Sequence, residues 1–141
     1  MDDTTTEAGT YTLVVDLPET VVIEVGALGG LEFPAGAYAY TGSAFGSGGL
    51  SRVDRHRRVA SGEHDVRHWH VDYLLGHPST SLLDVVVTRE ADVECAVASA
   101  VGDGPADGFG SSDCGCGTHL AYRESVSVLE EAVRQAHSAV R

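Results

Sequence analysis

The sequence predicts a single α+β domain with a small, mainly antiparallel β-sheet flanked by helices. Three observations carry this prediction: the chain has 141 residues, 43% of them are hydrophobic, and strand-like segments come mostly before helical ones. A chain of this size and apolar content closes a hydrophobic core without disulfides. We expect residues 1–8 to form a flexible acidic N-terminus and residues 9–141 to form the domain.

The strands are predicted from apolar, β-branched segments that are bounded by turn residues. Tyr11–Leu17 and Val21–Val25 are two such segments, with a proline-containing turn between them. Residues 27–35 contain two adjacent glycines and a proline, which favours a loop. Gly36–Gly42 and Leu82–Val87 complete the predicted strands.

Helices are predicted where apolar residues recur at helical spacing, over residues 50–60, 68–75 and 91–101. Ser127 and Glu130 fit a capping box that opens a final amphipathic helix. The apolar stripe of this helix comprises Val126, Leu129, Val133, Ala136 and Val140.

The charge balance is strongly acidic, with 21 carboxylates against nine basic residues and a pI near 4.7. All nine basic residues are arginine, so lysine is absent. Acidic, lysine-free surfaces suit molar salt, where the Debye length is only about 3 Å and self-repulsion is screened. We therefore hypothesise a halophilic source, with an ordinary acidic cytosolic protein as the alternative. The N-terminus lacks signal-peptide character and no apolar run is long enough to span a membrane, which predicts a cytoplasmic location.

One segment departs from this acidic average. Residues 50–70, the basic segment, carry five arginines against three carboxylates, a net charge of +2, and four of the seven histidines. An anionic partner is expected to bind here.

Short motifs along the chain resemble those of the GIY-YIG nuclease superfamily. Gly9-Thr10-Tyr11 opens the first predicted strand, Tyr40-Thr41-Gly42 closes the third, and Arg52-x-x-x-His56 begins the following helix. The pattern is similar in particular to the small stand-alone, mostly archaeal branch of Uri-type endonucleases. That branch combines Tyr-x-Gly-Ser-Ala, Arg-x-x-Arg-His, Trp-His-x-Asp-Tyr-Leu, Glu-Cys and Phe-Gly-Ser-Ser-Asp-Cys-x-Cys-x-x-His-Leu, found here at 40–44, 52–56, 69–74, 94–95 and 109–120.

The resemblance implies a GIY-YIG-like fold and a metal-dependent endonuclease, and together with the acidic composition it indicates a halophilic archaeon as the source. Such an enzyme hydrolyses phosphodiester bonds in DNA or RNA, with DNA the expected partner. Tyr11 would be the base or water-orienting phenol, with Tyr40 beside it. Arg52 would hold the scissile phosphate with its planar guanidinium, and His56 would bind phosphate or assist proton transfer.

The same resemblance assigns a single metal ligand, whereas the residues expected to contact nucleic acid lie mostly in the basic segment. Glu94 would hold one Mg²⁺ or Mn²⁺ ion, with Glu90 one turn earlier as the alternative ligand. The residues expected to contact nucleic acid are Ser43, Arg55, Arg57, Arg58, His68 and His70. Asp72, four residues after His68, is placed to orient that imidazole.

A cluster of soft ligands forms a candidate structural zinc site. Cys114, Cys116 and His119 lie in a glycine-rich loop, and Cys95 would complete a Cys₃His set. The alternative is a hydrogen-bonded loop with Cys95 buried as a small hydrophobic residue.

Alternative interpretations remain for the site and for the function. Tyr11 and Tyr40 could be strand aromatics that pack against a helix, and Arg52 and His56 could lie on a solvated helix face. Tyr11 and Tyr40 are also far apart in sequence, because residues 18–35 insert a hairpin and loop between the motif strands. The alternative functions are a catalytically silent nucleic-acid-binding or zinc-binding module with the same fold, or a small acidic interaction protein.

Overall fold

A computed structural model describes residues 8–26, 29–43, 51–62, 70–89, 93–101 and 120–139. Over these ranges the chain is an α+β protein with a mainly antiparallel sheet, which confirms the predicted class.

The main sheet has four strands in the order β5-β1-β4-β6, and each neighbouring pair is antiparallel. These strands are β1 (Gly9–Leu17), β4 (Gly36–Ser43), β5 (Ser81–Arg89) and β6 (Leu120–Arg123). β1 lies in the interior of the sheet, between β4 and β5. It is buried on both faces almost throughout its length, because helices cover the sheet on both sides.

A second sheet consists of the hairpin β2 (Val21–Glu24) and β3 (Gly30–Phe33). The prediction that residues 27–35 are a loop is therefore wrong for β3. Leu31 and Phe33 alternate with Glu32, and Phe33 enters the core, so the strand is stabilised by packing that outweighs the glycine and proline signals at its ends.

Helices lie on both faces of the main sheet. α1 (Ser51–Ala60) and α2 (His70–Leu75) pack on the face that carries Tyr11, Tyr38 and Tyr40. α3 (Glu94–Val101) and α4 (Val126–Ala139) pack on the opposite face. Among the described residues, no helix is both long enough and apolar enough to cross a membrane.

Two details near the C-terminus differ from the sequence prediction. β6 was not predicted; it is a strand of only four residues, whose Tyr38↔Tyr122 and Tyr40↔Leu120 pairings fix it to β4. α4 begins at Val126, and the Leu129 amide bonds to the Ser125 carbonyl, so Ser127 lies in the first turn. The predicted capping box at Ser127 is therefore wrong, although the stripe of Leu129, Val133 and Ala136 is buried as predicted.

Candidate active site

The Tyr11 hydroxyl and the His56 imidazole form a hydrogen bond inside the protein. Tyr11 Oη lies 2.8 Å from His56 Nε2, and each residue is only 1% exposed. Tyr11 projects from β1, whereas His56 lies on the face of α1 that also buries Val53 and Val59 at helical spacing. The interpretation of His56 as part of a solvated helix face is therefore wrong.

Gly42 determines where the Tyr11 ring lies. The two residues are direct partners in the β1–β4 pairing, and a Cβ atom on residue 42 would lie 2.5 Å from Tyr11 Oη and 2.6 Å from Tyr11 Cζ. Cβ atoms do not approach other heavy atoms so closely. The glycine of the second motif thus leaves the space that the phenol of the first motif fills.

Tyr40 flanks the same imidazole from β4. It is buried, and its ring centroid lies 6.2 Å from that of His56 in an edge-on arrangement. Tyr11 and Tyr40 are part of the apolar core, and they also contact the imidazole from two strands. The structure therefore brings together Tyr11, Tyr40 and His56, three of the five residues predicted to be catalytic.

A buried ion pair between Arg55 and Asp72 lies next to the Nδ1 side of the His56 ring. The Asp72 carboxylate, on α2, is fully buried and accepts hydrogen bonds of 2.9 and 3.0 Å from Nη1 and Nη2 of Arg55. Asp72 Oδ1 also lies 3.9 Å from His56 Nδ1. The guanidinium of Arg55 thus binds a carboxylate of the protein itself, and Asp72 lies next to His56. The predicted contact of Asp72 with His68 falls outside the described residues.

The two remaining catalytic candidates, Arg52 and Glu94, have side chains outside the described part, so only their backbone positions are given. Arg52 precedes His56 by one turn of α1. Glu94 begins α3, and the preceding Val93 amide donates a 3.0 Å hydrogen bond to Thr10 Oγ1. The start of α3 therefore lies at the end of β1 that carries Tyr11.

The residues predicted to contact nucleic acid are distributed differently. Arg57 and Arg58 are exposed on α1, and Arg57 pairs with Asp54 at 3.4 Å. Ser43, partly buried, ends β4 directly after Gly42. His70 begins α2, with its side chain outside the described part.

The metal predictions fall mostly on residues beyond the described ranges. Glu90, Cys114, Cys116 and His119 lie there, as do the side chains of Glu94 and Cys95; His68, predicted to contact nucleic acid, also lies outside the described ranges. The described residues hold no group of three or more side chains able to ligate a metal. The magnesium and zinc sites therefore stay predictions.

A second buried polar cluster, the His137 cluster, lies on the opposite face of the sheet. His137 Nε2 lies 2.8 Å from Thr12 Oγ1, and His137 Nδ1 lies 2.8 Å from Thr88 Oγ1. Thr12 Oγ1 also lies 3.0 Å from Thr41 Oγ1. The cluster links α4 to β1, β4 and β5. Sequence reasoning missed it, since a threonine in a strand is otherwise an ordinary β-branched residue.

Tyr38 differs from Tyr11 in its chemistry, although both lie on the same face of the sheet. Its hydroxyl donates a hydrogen bond to the Pro34 carbonyl, and its ring lies 5.1 Å from that of Tyr122. Burial raises the pKa of the Tyr38 phenol above its ordinary value of 10.0, and the neighbouring Tyr122 phenol raises it further. Tyr38 is therefore held as a neutral hydrogen-bond donor, unsuited to act as a base.

The geometry of the site defines the chemistry it can perform. When the His56 proton is on Nδ1, the Tyr11 hydroxyl donates to Nε2, and a proton moving along that bond leaves a phenolate beside an imidazolium. The Asp72 carboxylate favours this imidazolium electrostatically. Tyr11 can therefore serve as a base that His56 activates.

The fold and site define a small α+β protein whose interior strand presents a phenol to a buried imidazole. A family model described as "Domain of unknown function DUF123" matches residues 10–141, so the chain belongs to this family. The match includes every residue of the site described above. No curated protein and no solved structure matches the chain.

Proposed function

We propose that this protein is a metal-dependent endonuclease that hydrolyses phosphodiester bonds in nucleic acid, with DNA the favoured substrate. The observation that carries the proposal is the 2.8 Å hydrogen bond between Tyr11 Oη and His56 Nε2. Its supporting residues come from separate segments that also resemble the GIY-YIG motifs: Tyr11 on β1, Tyr40 and Gly42 on β4, and His56 on α1.

The reaction begins with transfer of the Tyr11 proton to His56. The phenolate then removes a proton from water, and the water oxygen forms a new bond to phosphorus. The bond between phosphorus and the leaving sugar oxygen breaks, and that oxygen takes a proton from solvent. His56 afterwards returns its proton to bulk water, which restores the site.

Other residues bind the substrate. Arg52, one turn before His56, is proposed to hold the scissile phosphate through the two parallel donors of its guanidinium. A divalent ion at Glu94, when bound, would supply charge neutralisation for the phosphate and the leaving oxygen. The exposed Arg57 and Arg58 on α1 supply local positive charge to the flanking backbone.

The test is cleavage of labelled single-stranded, duplex and branched DNA and RNA with Mg²⁺ or Mn²⁺ in molar KCl. We expect metal-dependent cutting that falls by about 100-fold or more in Y11F, R52A and H56A, because each change removes a group used in the transition state. Y122F and R134A are the matched controls. Tyr122 donates to the Ala35 carbonyl and Arg134 pairs with Asp84, both away from the site.

A second candidate function is a catalytically silent nucleic-acid-binding module. The observation that favours it is the 1% exposure of both Tyr11 and His56, which is typical of a structural pair. Binding of the same panel without cleavage would support the silent module and overturn the endonuclease, whereas cleavage that survives Y11F and H56A would overturn the assignment of Tyr11 and His56 as catalytic.

A further inference from the structure

We propose that Asp72, held by Arg55, is a positioning residue that fixes the protonation state of His56 and keeps Nε2 as the proton acceptor for Tyr11. The catalytic consequence rests on the proposed function. The effect on His56 can be measured without any cleavage.

The Asp72 carboxylate lies close to His56 without forming a hydrogen bond to it. Asp72 Oδ1 lies 3.9 Å from His56 Nδ1, which is too long for a hydrogen bond. Charges interact strongly over this distance when water is excluded, and both side chains are buried. The carboxylate therefore favours a proton on Nδ1, and Nε2 is then left with the lone pair that faces Tyr11 Oη, 2.8 Å away.

Arg55 holds the Asp72 carboxylate in place. Arg55 binds both oxygens of Asp72, so the carboxylate cannot rotate away from the imidazole. The guanidinium also offsets the cost of burying a carboxylate, which would be large without a cation. Because Arg55 and His56 are neighbours on α1, one carboxylate from α2 serves both side chains.

The titration of His56 depends on the charged groups that surround it. The described groups in contact with it include Tyr11 from β1, Tyr40 from β4 and Asp72 from α2, and the carboxylate of Asp72 also binds Arg55, the neighbouring residue on α1. Among these groups, Asp72 carries a full negative charge and Arg55 a full positive charge. Removing the anion and removing the cation should therefore change the His56 titration in opposite directions.

The experiment follows the ¹⁵N-labelled His56 ring by NMR across pH in the wild type, D72N and R55Q. We expect the titration midpoint of His56 to fall by about one pH unit in D72N and to rise in R55Q. D54N is the matched control, because Asp54 is a half-exposed carboxylate on the same helix that pairs with Arg57. An unchanged midpoint in D72N, or shifts of the same sign in D72N and R55Q, would overturn the proposal.

A variant that fails to fold is recognised by its circular dichroism. In that case the protonated nitrogen of His56 in the wild type tests the proposal. The ¹⁵N shifts of neutral His56 report which ring nitrogen carries the proton. A proton on Nδ1 supports the proposal, whereas a proton on Nε2 overturns it.

Cleavage separates this inference from the proposed function. We expect the acidic limb of the cleavage pH profile to move in D72N in the same direction as the NMR midpoint. A moved midpoint with an unmoved pH profile would support the positioning role and overturn the catalytic use of His56. If the wild type does not cleave, the proposed function fails, and the NMR midpoints still decide the positioning role.

Discussion

The ring of Tyr11 occupies the space in which a side chain on Gly42 would lie. A Cβ atom at position 42 would come within 2.5 Å of the phenol oxygen, so the two residues form one steric unit across the β1–β4 pairing. A change at Gly42 should therefore act on the site through the position of Tyr11.

Gly42→Ala should destabilise the protein by about 1–3 kcal/mol, because the added methyl forces the Tyr11 ring or the strand to shift. Cleavage should fall with it, because the hydrogen bond to His56 is disturbed. The double variant G42A/Y11A removes the clash, so its free energy of unfolding should exceed the value expected from adding the two single changes. Gly30→Ala is the control, since a Cβ there meets nothing closer than 3.8 Å.

His137→Leu should lower the free energy of unfolding by about 2 kcal/mol, because Thr12 and Thr88 lose a buried hydrogen-bond partner. Cleavage by the folded fraction should stay near that of the wild type, because the His137 cluster lies on the face opposite Tyr11. Urea unfolding and cleavage assays measure the two effects. Gln135→Ala, exposed on the same helix, should change neither quantity. A loss of cleavage in His137→Leu as large as that in Y11F would refute the separation of the two faces.

The free energy of unfolding should decrease as the pH rises above about 10. The pKa of Tyr38 is raised by burial in the folded protein, so the folded state keeps a proton that the unfolded chain releases. The stabilisation is fully present below the ordinary value of 10.0 and is lost as the pH rises towards the folded value. Tyr38→Phe removes this titration, so its urea unfolding should depend less steeply on pH over the same range. Equal slopes for both proteins would contradict the assignment.

Potassium chloride should raise the melting temperature from dilute buffer to molar concentration. The chain carries 21 carboxylates and nine basic residues, so screening relieves the repulsion among its acidic groups. A melting temperature that is already maximal in dilute buffer would contradict a halophilic origin. Scanning calorimetry with KCl, and with sucrose as an uncharged control, separates screening from general exclusion of a solute.

The sequence predicts those parts of the fold that depend on local pattern. β1, β4 and β5 are rich in apolar, aromatic and β-branched residues, and α1 and α4 show helical spacing, so their positions could be predicted within a few residues. β3 could not, because glycine and proline at its ends outweighed the alternation of Leu31 and Phe33. β6 could not because it is short and gains its stability from pairing with β4.

Part of the candidate site could also be predicted from the sequence, and part could not. Tyr11, Tyr40 and His56 could be grouped as candidates because their motifs resemble those of a nuclease superfamily, and the structure shows their contacts. The contact of Asp72 with Arg55 and His56 depends on how α2 packs against α1, which no spacing along the chain encodes. Helical periodicity predicts only that Asp72 lies near His68. The packing of α2 against α1 gives Asp72 two further partners, Arg55 and His56.

Successive residues of β1 serve opposite faces of the sheet, and this limits how the strand can be aligned during folding. Tyr11 points to His56, whereas Thr12 points to His137. A slip of one residue would turn the threonine hydroxyl into an apolar layer and the phenol towards α4, and both polar contacts would be lost together. Misaligned pairings are thus penalised on two faces at once, so the strand that carries the proposed base also gives the chain a strong preference for one alignment.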